Sequence, residues 1–318
     1  MSLNLLSIII PAYNEEESIQ DCFDRLHTVF STQDYTVEFI VVNDGSLDGT
    51  GDILDTIAKA DPRVLVIHFS RNFGHQAAIS AGIKHCQSKY AAIIDADLQD
   101  PPEIIPDMLA TMIRENLNGI YGVRNARKGE NYFKKITAKL FYRGLAAITD
   151  VKIPLDSGDF RLIDRNIINA FNQLPEKNKY VRGLISWIGY KQAPYYYERN
   201  AREKGQTHYS LQQMLNFASN GVLYFSKKPL SIAISLGFIC ILVGLFLIIY
   251  VLLSKYYFER PAVAGWASLL ISIIFFGGIQ LLCIGVLGLY IGKIFDEIKD
   301  RPEFIIQKIY RKNNNDSL

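Results

Sequence analysis

Residues 90–103 read Tyr-Ala-Ala-Ile-Ile-Asp-Ala-Asp-Leu-Gln-Asp-Pro-Pro-Glu: an apolar run, a cluster of acids, then a proline pair. Tyr90 to Ile94 has the near-continuous apolar character of a strand buried on both faces. Asp95 and Asp97, at i and i+2 of an extended segment, point the same way. Two carboxylates so placed can grip one hard divalent cation whose other positions stay open for phosphate oxygens. Pro101-Pro102 then suits the first turn of a helix.

Working outward, Leu5 to Ala12, Val37 to Val42, Val64 to Phe69 and Gly119 to Val123 repeat the strand pattern. Between them Glu15 to Phe30, Asp48 to Ala60, His75 to Cys86 and Pro102 to Asn116 carry helical periodicity, with starts at Asn14, Ser46 and Pro101-Pro102. This alternation predicts an α/β domain with a Rossmann-like, mostly parallel sheet. Ligands of such sheets bind beyond the carboxyl ends of the strands. Pro11-Ala12-Tyr13-Asn14-Glu15, Asn43-Asp44-Gly45-Ser46 and Asp95 to Glu103 should therefore converge on one edge.

Further along, Leu230 to Leu253 and Ala262 to Gly292 contain no Asp, Glu, Lys or Arg. Each exceeds the roughly 20 apolar residues that span a bilayer, so a transmembrane hairpin is expected, joined by Ser254 to Pro261. Lys227 and Lys228 precede it, and Lys293, Lys299, Arg301, Lys308, Arg311 and Lys312 follow. The positive-inside rule then places both termini and the α/β domain in the cytoplasm, as a multi-pass protein of the cell membrane. The N-terminus runs straight into Leu5 and Leu6 without a basic region or cleavage site, which marks no export. The expected organisation is a catalytic domain over 1–209, a juxtamembrane amphipathic helix over 210–228, two spans over 229–293 and a basic cytoplasmic tail over 294–318. Within the first part, residues 132–148 read as a basic amphipathic helix suited to anionic lipid heads.

Several classes are disfavoured. A net charge of +2 without an RNA-binding or zinc-finger motif argues for no nucleic-acid partner. No G-x-G-x-x-G or Walker motif occurs. Asp44, Ser46, Asp48, Gly49 and Asp55 approach the spacing of a calcium loop, but follow a strand where that loop needs a helix. Cys22, Cys86, Cys240 and Cys283 lack metal-ligand spacing, so no disulfide or zinc site is expected. His27, His68, His75 and His85 read as packing or surface residues, and Trp187 with Tyr195-Tyr196-Tyr197 as core or interface aromatics. The spans hold no ionisable group to mark an ion path. Gly277-Gly278, Gly285 and Gly288 would allow close helix packing or homo-oligomerisation.

Pro-Ala-Tyr-Asn-Glu at 11–15, Val-Val-Asn-Asp-Gly-Ser at 41–46, Arg-Asn-Phe-Gly at 71–74, Asp-Ala-Asp-Leu-Gln-Asp-Pro-Pro-Glu at 95–103 and Gly-Asp-Phe-Arg-Leu at 158–162 occur in that order. Together they resemble the family 2 glycosyltransferases of GT-A fold, in the polyprenyl-phosphate branch with bactoprenol glucosyltransferases and dolichol-phosphate mannose synthases. The resemblance implies that Pro11, Tyr13, Glu15, Asp44 and Asp95 line the nucleotide-sugar site, and that Asp95, Asp97 and Gln99 surround a Mg²⁺ or Mn²⁺. It further implies catalytic roles for Asp97, Asp159, Arg124 and Arg202. Arg124 and Arg202, joined by Arg127, Lys134 and Lys135, are candidates for the acceptor phosphate. His208 stands where the family's flexible segment usually carries a lysine. Asp159 would be the base by analogy, yet a carboxylate against a dianionic acceptor would repel it. It is expected instead to orient Arg161 or Arg202, or to complete the donor site. Trp187 and Trp266 do not follow an Arg, so the Gln-x-x-Arg-Trp motif of processive synthases is absent and single transfer is favoured. The implied activity is inverting, metal-dependent transfer of one sugar, glucose from UDP-glucose, to a polyprenyl phosphate such as undecaprenyl phosphate. The alternatives are mannose transfer from GDP-mannose, and a non-catalytic membrane scaffold or nucleotide-sugar sensor.

Overall fold

A computed structural model describes residues 5–124, 157–177, 179–198, 228–257 and 265–311. The chain divides into two compact units, one of residues 1–146, 151–210 and 301–318, the other of residues 147–150 and 211–300.

In the first unit, β1 (Leu6–Ala12), β2 (Val37–Asn43), β3 (Val64–Phe69), β4 (Tyr90–Ile93), β5 (Gly119–Arg124), β6 (Ser157–Asp164), β7 (Gln192–Tyr197) and β8 (Ile306–Tyr310) form one eight-stranded sheet, ordered β7-β5-β6-β4-β1-β2-β3-β8. Its helices are α1 (Ile19–Phe30), α2 (Thr50–Ala60), α3 (His75–His85), α4 (Ile105–Arg114), α5 (Arg165–Gln173) and α6 (Val181–Trp187). β1 pairs in parallel with β2 and β4, β2 with β3, and β5 with β7. β6 runs antiparallel to β4 and β5, and β8 antiparallel to β3.

Alternation of side chains sorts the helices onto two faces. Leu6, Ile8, Ile10, Phe39 and Val41 share a core with the α1 stripe Ile19, Cys22, Phe23, Leu26 and Phe30, and with Leu54 of α2 and Met108 of α4. Each such buried side chain contributes about 1.5–3 kcal/mol of transfer free energy. α3 packs against β1 and β2. It approaches so closely that a Cβ on Gly82 would lie 2.3 Å from Cγ2 of Ile9.

The strand order reverses between β1 and β4, and there the sheet opens. Tyr90 N donates to Leu5 O and Ile94 N to Ile9 O, so odd-numbered residues of β1 face β4. Pro11 is the next of these. It has no N–H to donate, so the β1–β4 ladder ends and the chain after β4 can diverge.

α1 and α2 begin later than the sequence predicts, at Ile19 and Thr50 instead of near Asn14 and Ser46. The polar groups that would cap those starts zip two loops together. Asn14, at φ 54°, donates its N–H to Ser46 Oγ (3.0 Å) and accepts from Leu47 N (2.9 Å), while Thr50 Oγ1 accepts from Glu15 N (2.9 Å). The expected basic tail over 294–318 is also different, because Ile306–Tyr310 is a strand on the β3 edge. Lys308 Nζ meets Asp55 Oδ2 at 2.6 Å and Arg311 pairs with buried Glu38, so both cations are used inside the fold.

The second unit holds two long helices, α7 (Lys228–Tyr257) and α8 (Trp266–Ile298). They pack together where Cys283 Sγ donates to the carbonyl of buried Ala233 at 3.5 Å. Their other surfaces are apolar and open, with Phe246 72% and Leu281 71% exposed. By length and composition Phe275–Ile298 could cross a membrane, and Leu230–Phe246 is a shorter apolar stretch. The segments expected to be amphipathic helices, 132–148 and 210–228, lie mostly or wholly outside the described residues.

Candidate active site

Six strands, β1 to β5 and β7, deliver their carboxyl ends to one edge, and β6 starts there because it runs the other way. Antiparallel pairing sets Ile93 opposite Arg161. Two residues further along each strand, the same register brings Asp95 towards Asp159. His75, the first residue of α3, lies between them, with Nε2 3.2 Å from Asp159 Oδ2 and 3.5 Å from Asp95 Oδ1.

Asp159 is the most heavily bound acid of the cluster, 6% exposed. Arg182 of α6 holds it with two bonds, Nε to Oδ1 at 2.7 Å and Nη2 to Oδ2 at 3.0 Å. Gln76 Nε2 donates to Oδ2 at 3.3 Å, and its Oε1 accepts from Val181 N at 2.9 Å, tying α3 to α6. Burial alone would raise the carboxyl's pKa, but Arg182 and His75 hold it well below the usual carboxylate range. The imidazole of His75 is opposed by burial, yet Asp159 and Asp95 push it up to about 9.

Arg161, 3% exposed, gives its Nη2 hydrogen bond to Gly158 O at 3.2 Å and its Nε bond to the backbone oxygen of Asp159 at 3.4 Å. Burial brings its pKa down to about 10, with Asp159 opposing and Arg182 adding to the fall. Of the partners expected for Asp159, Arg161 bonds backbone oxygens and not the carboxylate, which the fork of Arg182 takes instead; Arg202 lies outside the described residues.

Asp95 differs from Asp159. Its Oδ1 is buried and accepts no hydrogen bond. Burial pushes its pKa up to about 6; His75 lowers it, while Asp159, Asp100 and Asp97 add to the rise. His75 Nε2 at 3.5 Å gives this oxygen an ion pair but no hydrogen bond, and a divalent cation is a ligand that would complete it. Asp97 Oδ1 accepts from Gln99 N at 3.1 Å across Leu98, which sits at φ 57°. The loop is held from below by Tyr197, whose hydroxyl donates to buried Asp100 at 2.5 Å. No group of three His, Cys, Asp or Glu side chains able to hold a metal occurs among the described residues. Asp95 and Asp97 together supply two carboxylates at this strand end, so a cation held there would need its remaining positions filled by oxygens of a ligand.

On the other side of the crevice, Asp44 is 2% exposed and accepts from Phe73 N (2.7 Å) and Gly74 N (2.9 Å). Burial raises its pKa although both N–H groups lower it. This explains Arg71-Asn72-Phe73-Gly74, whose backbone clamps Asp44 at the end of β2. Tyr13 is 41% exposed at the rim, Pro11 is buried in β1, and Glu15 accepts from Ser18 Oγ at 2.5 Å. The calcium-loop spacing dissolves, since Asp44, Asp48 and Asp55 bind Phe73–Gly74, Thr50 and Lys308 respectively.

Arg124 closes β5 in register with Tyr197. Arg127, Lys134, Lys135, Arg202 and His208 lie outside the described residues. Trp187 is not a core residue, at 59% exposure, whereas Tyr197 is buried. His75, Gln76 and Arg182 are the site residues that sequence reasoning missed. His75 and Gln76 follow the carboxyl end of β3, so the strand-end rule extended to that strand would have found them. Arg182 gives no signal in sequence.

The chain belongs to glycosyl transferase family 2, whose model matches residues 7–171, and its fold is the GT-A-like α/β fold; it is a glycosyltransferase. Among its relatives, the uncharacterized glycosyltransferase YkcC of Bacillus subtilis is 46% identical over 97% of this chain and 95% of its own. The SfII prophage-derived bactoprenol glucosyl transferase of Shigella flexneri is 35% identical over 97% and 99%. Among solved structures, Mycobacterium tuberculosis glucosyl-3-phosphoglycerate synthase aligns at 16% identity over 69% of this chain and 78% of that one, with a TM-score of 0.47.

Proposed function

We propose that this glycosyltransferase moves one glucose from UDP-glucose to a polyprenyl phosphate at the cytoplasmic face of the cell membrane, with inversion. The reading rests on the acidic cluster at one edge of the α/β unit together with the apolar helix Phe275–Ile298, which suit an acceptor that is both phosphate and lipid. At that edge Tyr197 ends β7, and before β8 the Ile305 carbonyl accepts from Ser70 N at 3.0 Å beside the end of β3. The name borne by the Shigella flexneri relative supports the same acceptor class and the choice of glucose.

In the reaction, an oxygen of the acceptor phosphate bonds to the anomeric carbon as the bond from that carbon to the diphosphate breaks, and the electron pair leaves with the diphosphate. A phosphate monoester has a second pKa near 6, so at neutral pH the attacking oxygen carries no proton to remove. Asp44, Tyr13, Pro11 and Glu15 bound the nucleotide side of the crevice. Asp95 and Asp97, with Gln99 beside them, would hold Mg²⁺ or Mn²⁺, which when bound supplies positive charge for the departing diphosphate. Arg124 and Arg202, with Arg127, Lys134 and Lys135, are assigned to the acceptor phosphate.

The chain path also supports two spans. Strands β1 to β7 precede the apolar helices and β8 follows them, yet all share one sheet. The number of membrane crossings between Tyr197 and Ile306 is then even, so a crossing by α8 requires one by α7.

The test is transfer of labelled sugar from a panel of UDP- and GDP-sugars, GDP-mannose included, to short polyprenyl phosphate by the full chain with Mg²⁺ or Mn²⁺. Product from UDP-glucose, dependent on the cation and lost on chelation, is expected. Folded protein that transfers from no donor would overturn the reading.

A further inference from the structure

We infer that Arg182 is a positioning residue that locks Asp159 as a fixed anion, so that Asp159 anchors the site and takes no proton from the acceptor. Resting on the reading above, this adds a residue that lies in none of the motifs shared with the family.

The geometry carries it. Asp159 Oδ1 accepts from Arg182 Nε at 2.7 Å; Oδ2 accepts from Arg182 Nη2 at 3.0 Å and Gln76 Nε2 at 3.3 Å, and faces His75 Nε2 at 3.2 Å. A bidentate guanidinium uses both carboxylate oxygens in one plane. Three of the four donors crowd Oδ2, so as a base Asp159 would have only the second lone pair of Oδ1, beside the Arg182 fork and in a site where it is 6% exposed. Burial and charge act together here: a carboxylate this enclosed needs its cation, and losing one partner of a buried pair leaves the other uncompensated. The charged and titratable groups around it are Arg182 and Tyr180 at the start of α6, His75 at the start of α3, Arg161 on its own strand and Asp95 across the crevice.

The anchor also has something to hold. Through Asp159, β6 is bound to the first residues of α3 and α6, and His75 is thereby set against Asp95. The proton balance permits this role, because the dianionic phosphate has already lost the proton that a base would remove. Pairing with Arg182 also cancels the charge with which Asp159 would repel that dianion.

The experiment is a double-mutant cycle on the full-length chain, with Arg182→Gln, Asp159→Asn and both together, plus Arg182→Lys. It reads kcat and KM separately for UDP-glucose and for short polyprenyl phosphate, with thermal melts as a check on folding. Each single change should lower kcat about 100-fold while the donor KM moves less than about threefold, and the double variant should be no worse than either single one. Arg182→Lys should recover about tenfold of the loss, because it keeps the charge but not the fork. Independent, multiplying losses would overturn the inference, as would near-normal turnover in Arg182→Gln beside an inactive Asp159→Asn. Failure of the unaltered chain to use polyprenyl phosphate, or transfer to the hydroxyl of a polyprenol instead, would bring down the underlying reading first.

Discussion

Asp95 and Asp97 share a loop but not an environment. Asp95 carries the buried oxygen without a hydrogen bond, while Asp97 braces the loop through Gln99. Asp97→Asn keeps the loop's shape and removes a charge. It is expected to reduce cation-dependent transfer by about 100-fold or more with an unchanged melting temperature, measured by labelled-sugar transfer and thermal melt. Gly45 tests the opposite wall. It sits at φ +66°, and an added Cβ would lie 2.3 Å from the backbone carbon of Arg71. Gly45→Ala carries about 1–2 kcal/mol for the left-handed conformation and must also displace the strand-end loop that clamps Asp44. A lower melting temperature and weaker UDP binding by titration are expected together. At this scale the sequence was legible where acids stood at the ends of parallel strands, as with Asp44, Asp95 and Asp97. It was silent on Arg182, whose role exists only because α6 is folded against α3 and β6.

Among the elements, β1 to β5 and α1 to α4 could be read because buried parallel strands are uniformly apolar and their helices carry one apolar stripe. β6, β7 and β8 escaped, since Asp159 and Arg161 interrupt β6, while β7 and β8 are half-polar edge strands that resemble loops. The segment before β8 is fastened to α3 by Ser80 Oγ, which donates to Glu303 Oε2 at 2.9 Å, and to β3 by Phe304 stacked on Phe69 with centroids 5.0 Å apart. Burial raises the Glu303 pKa from 4.5 to about 7, against the pull of Ser80, Lys179, Lys84 and Lys177. Because the folded value is raised for an acid, the fold binds the proton more tightly than the unfolded chain does. That contribution is complete below pH 4.5 and is lost as pH rises through about 7. Glu303→Gln keeps an acceptor for Ser80 without the charge. It should raise the melting temperature at pH 8 and change it little at pH 5, by thermal melts at the two values.

For the molecule as a whole, the two proposed spans give a prediction in intact cells. After the four native cysteines are replaced, a cysteine at Lys255 should react with a membrane-impermeant maleimide from outside, whereas one at Asp300 should react only after lysis. Equal labelling at both positions in intact cells would exclude two spans. The charge-free runs and the acidic strand ends made the two-part plan legible in the sequence. That the last described strand returns to the first unit was not legible, because pairing between residues so far apart leaves no local pattern.

That returning strand also sets an order of assembly. β3 is made early, but its partner β8 emerges from the ribosome only after both apolar helices. At roughly 5–20 residues per second, the edge of β3 waits on the order of 10–50 s for its cover. Over that interval it offers unpaired N–H and C=O groups to any neighbouring chain. Completion of the sheet therefore waits on synthesis of both apolar helices. Their synthesis separates β8 in time from the seven strands made before it, so a nascent chain stalled within them is left with an open β3 edge, and the α/β fold closes only once both helices have been made.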